Sequence, residues 1–404
     1  MKKITRRSFI KYSALASTSL LIPNFIKGLQ AEERTGSIAG GGKKLVIVQL
    51  SGGNDGLNTV IPYRNDVYYS SRRGLSLGES EILKIDDELG FNSSMEKFKE
   101  LYDSGRLSVI NSVGYPNPDR SHFRSMDIWQ SASGSDEYVT TGWVGRYLDS
   151  DCEKCGSPYN AIEVNDTLSL ALKGNTKNGI AVEDPGRFFL SSSEDFFTRL
   201  SDIYKNDLHG DGNVEYLYKT VVEATSSAEY VYKTSKIYNS SESYPNGQFG
   251  RNLKTIAELI ISGIDTSVFY VDLGGFDTHA NQKGRQNNLL KQLSDGLYSF
   301  TEDLRKNDRL NEVMVLTFSE FGRRVSQNAS GGTDHGTANN VFLINGELSN
   351  PGFYNEAPDL TDLDNGDLKY RVDFRSIYST MLGRWLGAED EAILGGKFEY
   401  LNIV

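Results

Sequence analysis

The chain has 404 residues, with 43 Lys and Arg against 54 Asp and Glu, and a net charge of −11. Residues 1–31 hold six of the basic residues and no acidic one, so the remainder balances 37 against 54, a net −17. So acidic a surface excludes nucleic acid and broad adhesion to anionic lipid, and an anionic substrate would need a local positive site such as a metal ion.

The first segment reads as an export signal. Thr5, Arg6, Arg7, Ser8, Phe9, Ile10 and Lys11 form a twin-arginine pattern, followed by the apolar ALASTSLLIP and a small-residue exit near GLQA. The run is too short and too broken by Ser and Thr to span a bilayer. Residues 1–31 are therefore set aside as a signal peptide and 32–42 as a linker, and 43–404 are expected to form one α/β domain. The expected location is periplasmic or extracellular. No later run is apolar enough for a transmembrane segment.

Four continuous apolar runs follow in order: 44–50 (KLVIVQL), 107–111 (LSVIN), 267–273 (SVFYVDL) and 313–318 (VMVLTF); a fifth, 341–345 (VFLIN), is shorter. Unbroken runs of this kind suit strands covered on both faces. Helical spacing appears around 93–104, 193–206, 212–236, 250–264, 284–307 and 373–386. The alternation predicts a doubly wound fold, with a mostly parallel sheet and helices on both faces. Cys152 and Cys155 are too few for a zinc site and read as a tight-loop disulfide or free thiols. His209, in DLHGDGN, reads as a surface residue.

The predicted strands are followed by loops rich in Gly, Asp, Asn and Ser. In an open parallel sheet such loops gather on one rim, where ligands bind. Three of the four histidines lie in them: His122, His279 and His335, with Asp119, Asp277 and Asp334 within three residues of each. Carboxylate and imidazole together suit zinc, manganese or iron, and calcium is a further candidate where oxygen donors dominate. Asp334 and His335 sit between Gly332 and Gly336, which are expected to permit unusual φ; the alternative is a capped turn with a solvated histidine. Asp277 and His279 are one residue apart, so an extended backbone points both to one side, and Gly274 and Gly275 are expected to bring the backbone close to a ligand. Asp55, in GGNDGLNT, is a fifth candidate ligand, with Asn54 or Asn58 orienting substrate; a plain Gly-Asn-Asp turn is the alternative.

Ser121 and His122 open a predicted helix. The Ser121 hydroxyl either caps that helix or, with its pKa lowered by a metal, acts as a nucleophile. Arg120 or Arg124 would then hold a phosphate or sulfate through paired N–H donors. Arg323 and Arg324 face the same choice between anion binding and solvation. Glu320, just past its strand, is expected to orient a ligand.

The segments SGGNDGLNTVIPY, DRSHFRSMDIW, GWVGRYLD, GGFDTH and TFSEFGRRVSQNASGGTDHGTANNVFLING together resemble the exported family known as domain of unknown function 1501. That family is similar to the alkaline phosphatase and sulfatase superfamily. The resemblance implies an alkaline-phosphatase-like fold with metal ligands after the sheet strands. Asp55 would take the first-strand position, Asp334 and His335 the DHG ligand pair, Asp277 and His279 the ligands of another metal, and Ser121 the helix-start nucleophile. Asn92 stands where many members carry histidine, and the formylglycine motif is absent, since Cys155 is followed by GSPY. The implied function is an exported metal-dependent hydrolase of phosphate or sulfate esters, including those derived from polysaccharide. The other reading is a non-catalytic exported binding protein that keeps the fold.

Overall fold

A computed structural model describes residues 42–150, 158–192 and 224–404. Cys152, Cys155, His209, the expected signal and linker, and the predicted helix 193–206 lie outside these residues. Among the described residues no helix is long and apolar enough to cross a membrane.

The central sheet contains β1 (Lys44–Ser51), β2 (Leu107–Gly114), β3 (Ala161–Glu163), β4 (Ile180–Ala181), β5 (Val268–Gly274), β6 (Val313–Phe318), β7 (Asn339–Ile344) and β8 (Gly352–Phe353). Their order is β8-β2-β7-β6-β1-β5-β3-β4. β1 pairs in parallel with β5 and β6, and β5 in turn with β3. All four long predicted strands are present. The fifth, β7, runs antiparallel to both β6 and β2. A parallel return needs a crossover that spans the sheet. Residues 319–338 contain no helix, so the chain turns on one rim and comes straight back.

Alternate residues of each long strand enter opposite cores, because strand side chains alternate. Val46, Val48 and Leu50 pack on one face with helices α1 (Glu96–Asp103), α3 (Gln248–Ile261) and α4 (Gln282–Lys306). Leu45 and Ile47 pack on the other with α2 (His122–Ser131) and α5 (Phe374–Ser379). Both faces are therefore covered, as the continuous apolar runs require. Truncating one of these side chains, such as Leu50 or Ile47, to Ala is expected to cost about 2–5 kcal/mol. Predicted helix 212–236 is seen as helical over residues 224–234, and 373–386 continues past α5 as a π-helix, Thr380–Leu386.

This topology places the carboxyl ends of β1, β2, β5 and β6 and the amino end of β7 on one rim. Ser51 is level with Gly274 across the β1–β5 pair, and Asn339 is level with Val113 across β7–β2. The loops that carry Asp55, His122, Asp277, His279, Asp334 and His335 all start or finish there.

Candidate metal centre

The loops can interleave because several glycines leave no room for a side chain. A Cβ on Gly52, at φ +118°, would lie 2.3 Å from the Asp277 backbone nitrogen; one on Gly332 would lie 2.3 Å from the His279 carbonyl carbon. Gly336 crosses the Arg323 backbone as closely, with 2.5 Å to its carbonyl carbon. Gly332 and Gly336 have ordinary φ, so their role is close approach rather than the unusual φ expected. On the other strand-end loop the reverse holds: Gly275 has φ +108°, while a Cβ on Gly274 would meet nothing nearer than 3.8 Å.

Three imidazoles converge on Asp277. His122 Nδ1 lies 2.8 Å from Glu320 Oε1, His279 Nδ1 3.2 Å from Asp334 Oδ1, and His335 Nδ1 2.8 Å from the Arg120 carbonyl oxygen. Carboxylate and carbonyl oxygens only accept, so each Nδ1 can donate to its oxygen, and a neutral ring so placed presents a lone pair at Nε2. The three Nε2 atoms face inward. His279 Nε2 is 2.9 Å from Asp277 Oδ1, His335 Nε2 is 3.4 Å from the same oxygen, and His122 Nε2 is 3.6 Å from Oδ2. Ligand atoms of His122, Asp277 and His335 all lie within 4.8 Å of one another. His279 Nε2 and His335 Nε2 are 2.9 Å apart. Two bare ring nitrogens so close repel unless a proton or cation sits between them.

This donor set fits a small divalent ion. Four tetrahedral bonds of about 2.0–2.1 Å put the donors about 3.3 Å apart, and the three imidazoles lie 2.9 to 3.6 Å from the Asp277 carboxylate oxygens. Each imidazole is backed at Nδ1 by an oxygen acceptor, the usual outer support of a ligating histidine.

Charges and burial around the cluster act on its donors in different directions. Burial pushes the Asp277 carboxyl up, but Arg323, then His279 and His122, pull it net below the ordinary range. The His335 imidazole is lowered, first by burial, which favours the neutral ligating form. His122 is raised, first by its hydrogen bond to Glu320. Asp334 is lowered, first by the Asn328 side chain that donates to it at 3.1 Å.

The other expected site residues fall in distinct places. Asp334 stands behind His279 rather than facing the convergence point, because its Oδ1 accepts from Nδ1. Glu320 is buried; its Oε1 also accepts from the Gly52 backbone N–H at 2.8 Å. Arg323 is buried beneath the cluster. It donates to Asp277 Oδ1 at 2.9 Å and to the carbonyls of Gly53 and Thr333, so it ties three loops together. Asp55 does not join the cluster. Both its carboxylate oxygens accept from Arg72 Nη1, at 2.9 and 2.6 Å, and both side chains are 0% exposed. Asn54 and Asn58 are buried in the same network, out of reach of a substrate: Asn58 Oδ1 accepts from Tyr68 and Arg72, and Asn54 Oδ1 from Thr59.

On α2, Ser121 holds the N-cap position, yet its hydroxyl makes no capping bond. Arg124 turns away from the cluster. Its Nη2 donates to the carbonyls of Gly134, Ser135 and Glu137, and its guanidinium lies 4.0 Å from the Tyr138 ring centroid. Beside the cluster, a cleft of about 400 Å³ is lined by Tyr115, Asp119, Trp129, Phe321, Thr337 and Tyr370. Phe321 forms the shared wall, with its ring centroid 4.6 Å from that of His335 and 4.9 Å from that of His122.

Sequence reasoning missed Arg72, the partner of Asp55. In YSSRRG it reads as a solvated residue, and nothing local marks it as buried. It also placed His122 with the nucleophile rather than among the metal donors; the one available signal was that His122, like His279 and His335, follows a strand.

Residues 206–394 match the family described as "Protein of unknown function (DUF1501)", the family its motifs resemble. No curated protein matches the chain. Among solved structures, the chain is similar to an alkaline phosphatase superfamily protein from Vibrio parahaemolyticus, at 10% identity and a TM-score of 0.40, covering 98% of this chain and 78% of that one. It is also similar to the sulfatase PsFucS1 from Pseudoalteromonas sp., at 11% identity and a TM-score of 0.39, covering 89% and 71%. A third is Ps i-CgsB in complex with k-i-k-neocarrahexaose, at 9% identity and a TM-score of 0.40, covering 89% and 75%.

Proposed function

We propose that this protein is an exported, metal-dependent hydrolase of phosphate or sulfate esters. The observation that carries the reading is the convergence of three Nε2 atoms on one carboxylate, from three loops far apart in sequence. His122, Asp277, His279 and His335 would hold the ion. An imidazole-rich set favours zinc or manganese over calcium, which takes six to eight oxygens. A divalent cation there supplies Lewis acidity toward an ester oxygen and lowers the pKa of the attacking group.

The chain's own residues do the rest. Glu320, Asp334 and the Arg120 carbonyl orient the three rings. Arg323 keeps Asp277 ionised and fixed. Ser121, exposed and free of a capping bond, is the protein nucleophile we favour. The cleft walled by Phe321 receives the alcohol part of the ester; its aromatic rings and Asp119 suit a sugar ring. Export by the twin-arginine route rests on residues 5–11.

Purified full-length protein should retain near-stoichiometric zinc or manganese, and His335→Ala should lose it while remaining folded. Chelator-sensitive turnover on a panel of phospho- and sulfo-esters is expected. A folded, metal-free wild type with no turnover on the panel would favour the binding-protein reading instead.

A further inference from the structure

The rim carries enough donors for two ions: Asp55, His122, Asp277, His279, Glu320, Asp334 and His335. Their arrangement does not use them so. Asp55 has both oxygens on Arg72 Nη1, and Oδ2 also accepts from Gln282 Nε2. Each nitrogen of the Arg72 guanidinium has a partner inside the protein. Its Nε donates to the Val325 carbonyl at 2.8 Å and its Nη2 to the Arg324 carbonyl at 2.7 Å. Pair and partners are sealed from solvent, with 0% exposure on both side chains.

We infer that the Arg72 guanidinium occupies the place of a cation at Asp55, so that the centre binds a single divalent ion per chain. The inference rests on the metal reading proposed above and goes beyond it by fixing the count and the role of Arg72. A second ion a few ångströms from the first needs carboxylates free to bridge the two. Asp55 is closed by Arg72, Glu320 is buried and accepts from His122 and the Gly52 N–H, and Asp334 turns its Oδ1 back onto His279 and Asn328. Asp277 is the remaining carboxylate, and its Oδ1 already accepts from Arg323. Three imidazoles and one carboxylate would then hold one ion. The same guanidinium joins the loop after β1 to the loop after β6, since its carbonyl acceptors lie in 324–325, next to Arg323. Arg72 is thus a positioning residue for the centre.

The test counts ions on the full chain. Protein loaded with excess Mn2+ and freed of unbound metal should hold one ion per chain by elemental analysis, with an uncoupled Mn2+ EPR signal. Asp55→Asn should keep the same count, because Asp55 is not a ligand. Two ions per chain, or an exchange-coupled signal from the wild type, overturns the inference and leaves the metal reading standing, whether or not any variant folds. No bound ion overturns both. A folded Asp55→Asn protein that loses its metal while His335→Ala keeps it also overturns the inference.

Discussion

Two aspartates, Asp55 and Asp277, stand just beyond the ends of neighbouring strands, and each meets an arginine, yet they have opposite surroundings. Asp55 is sealed: its side chain and that of Arg72 are 0% exposed, and every oxygen and nitrogen of the pair is spoken for inside the protein. Asp277 is half open, at 49% exposure, and three imidazole Nε2 atoms face it. The difference teaches that a carboxylate at a strand end becomes an internal tie or a ligand according to what closes over it. A buried guanidinium satisfies the first; a cluster of oriented imidazoles leaves the second in need of a cation.

The sharpest way to break that comparison is to remove the internal tie. Arg72→Ala leaves a buried, unpaired carboxylate and two loop carbonyls without a donor. A loss of about 3–5 kcal/mol is expected, read as a lower midpoint in urea unfolding. Combining it with Asp55→Asn should recover part of that loss. Equal loss in the single and double variants would show that the charge pair is not the reason.

A third strand-end acid extends the comparison to one held by a backbone N–H rather than by an arginine. Glu163, at the end of β3, is buried, accepts from the Ser169 N–H at 2.6 Å, and has its pKa raised to about 7, first by burial. Its folded pKa lies above its unfolded value, so the folded form binds the extra proton between about pH 4.5 and 7. Stability from this group is therefore greatest below that window and falls as pH rises through it, by an amount on the order of 3 kcal/mol. Glu163→Gln should remove this slope while leaving others in place. An unchanged pH profile of thermal unfolding in the variant would count against the assignment.

The smallest expected effect on the fold sharpens the open side. Glu320→Gln keeps the shape but weakens the acceptor behind His122 Nδ1. Metal affinity is expected to drop about 10- to 100-fold, with little change in unfolding. Competition with a chromogenic chelator measures it directly, and unchanged affinity would place Glu320 outside the support of the centre.

The sequence by itself determined the long strands of the sheet. Its unbroken Val, Ile, Leu and Phe runs sit where the strands lie, because strands buried on both faces have no polar alternation to show. It also determined which loops carry the histidines, since residues after parallel strands share a rim whatever the loop lengths. The pairing of Asp277 with His279 was readable from their spacing along an extended backbone. The tertiary structure alone decided the rest. The direction of β7 depended on whether 319–338 would cross the sheet or turn back. The use of Gly332 and Gly336 depended on which backbones pass over them, a contact between loops that a local sequence cannot display. Asp55 and Asp277 look alike as single acidic residues after a strand; what parted them was a long side chain, Arg72, reaching in from 17 residues away to close one and not the other. Burial and partner, which set the charge a carboxylate can tolerate, belong to the packed molecule and not to the residue.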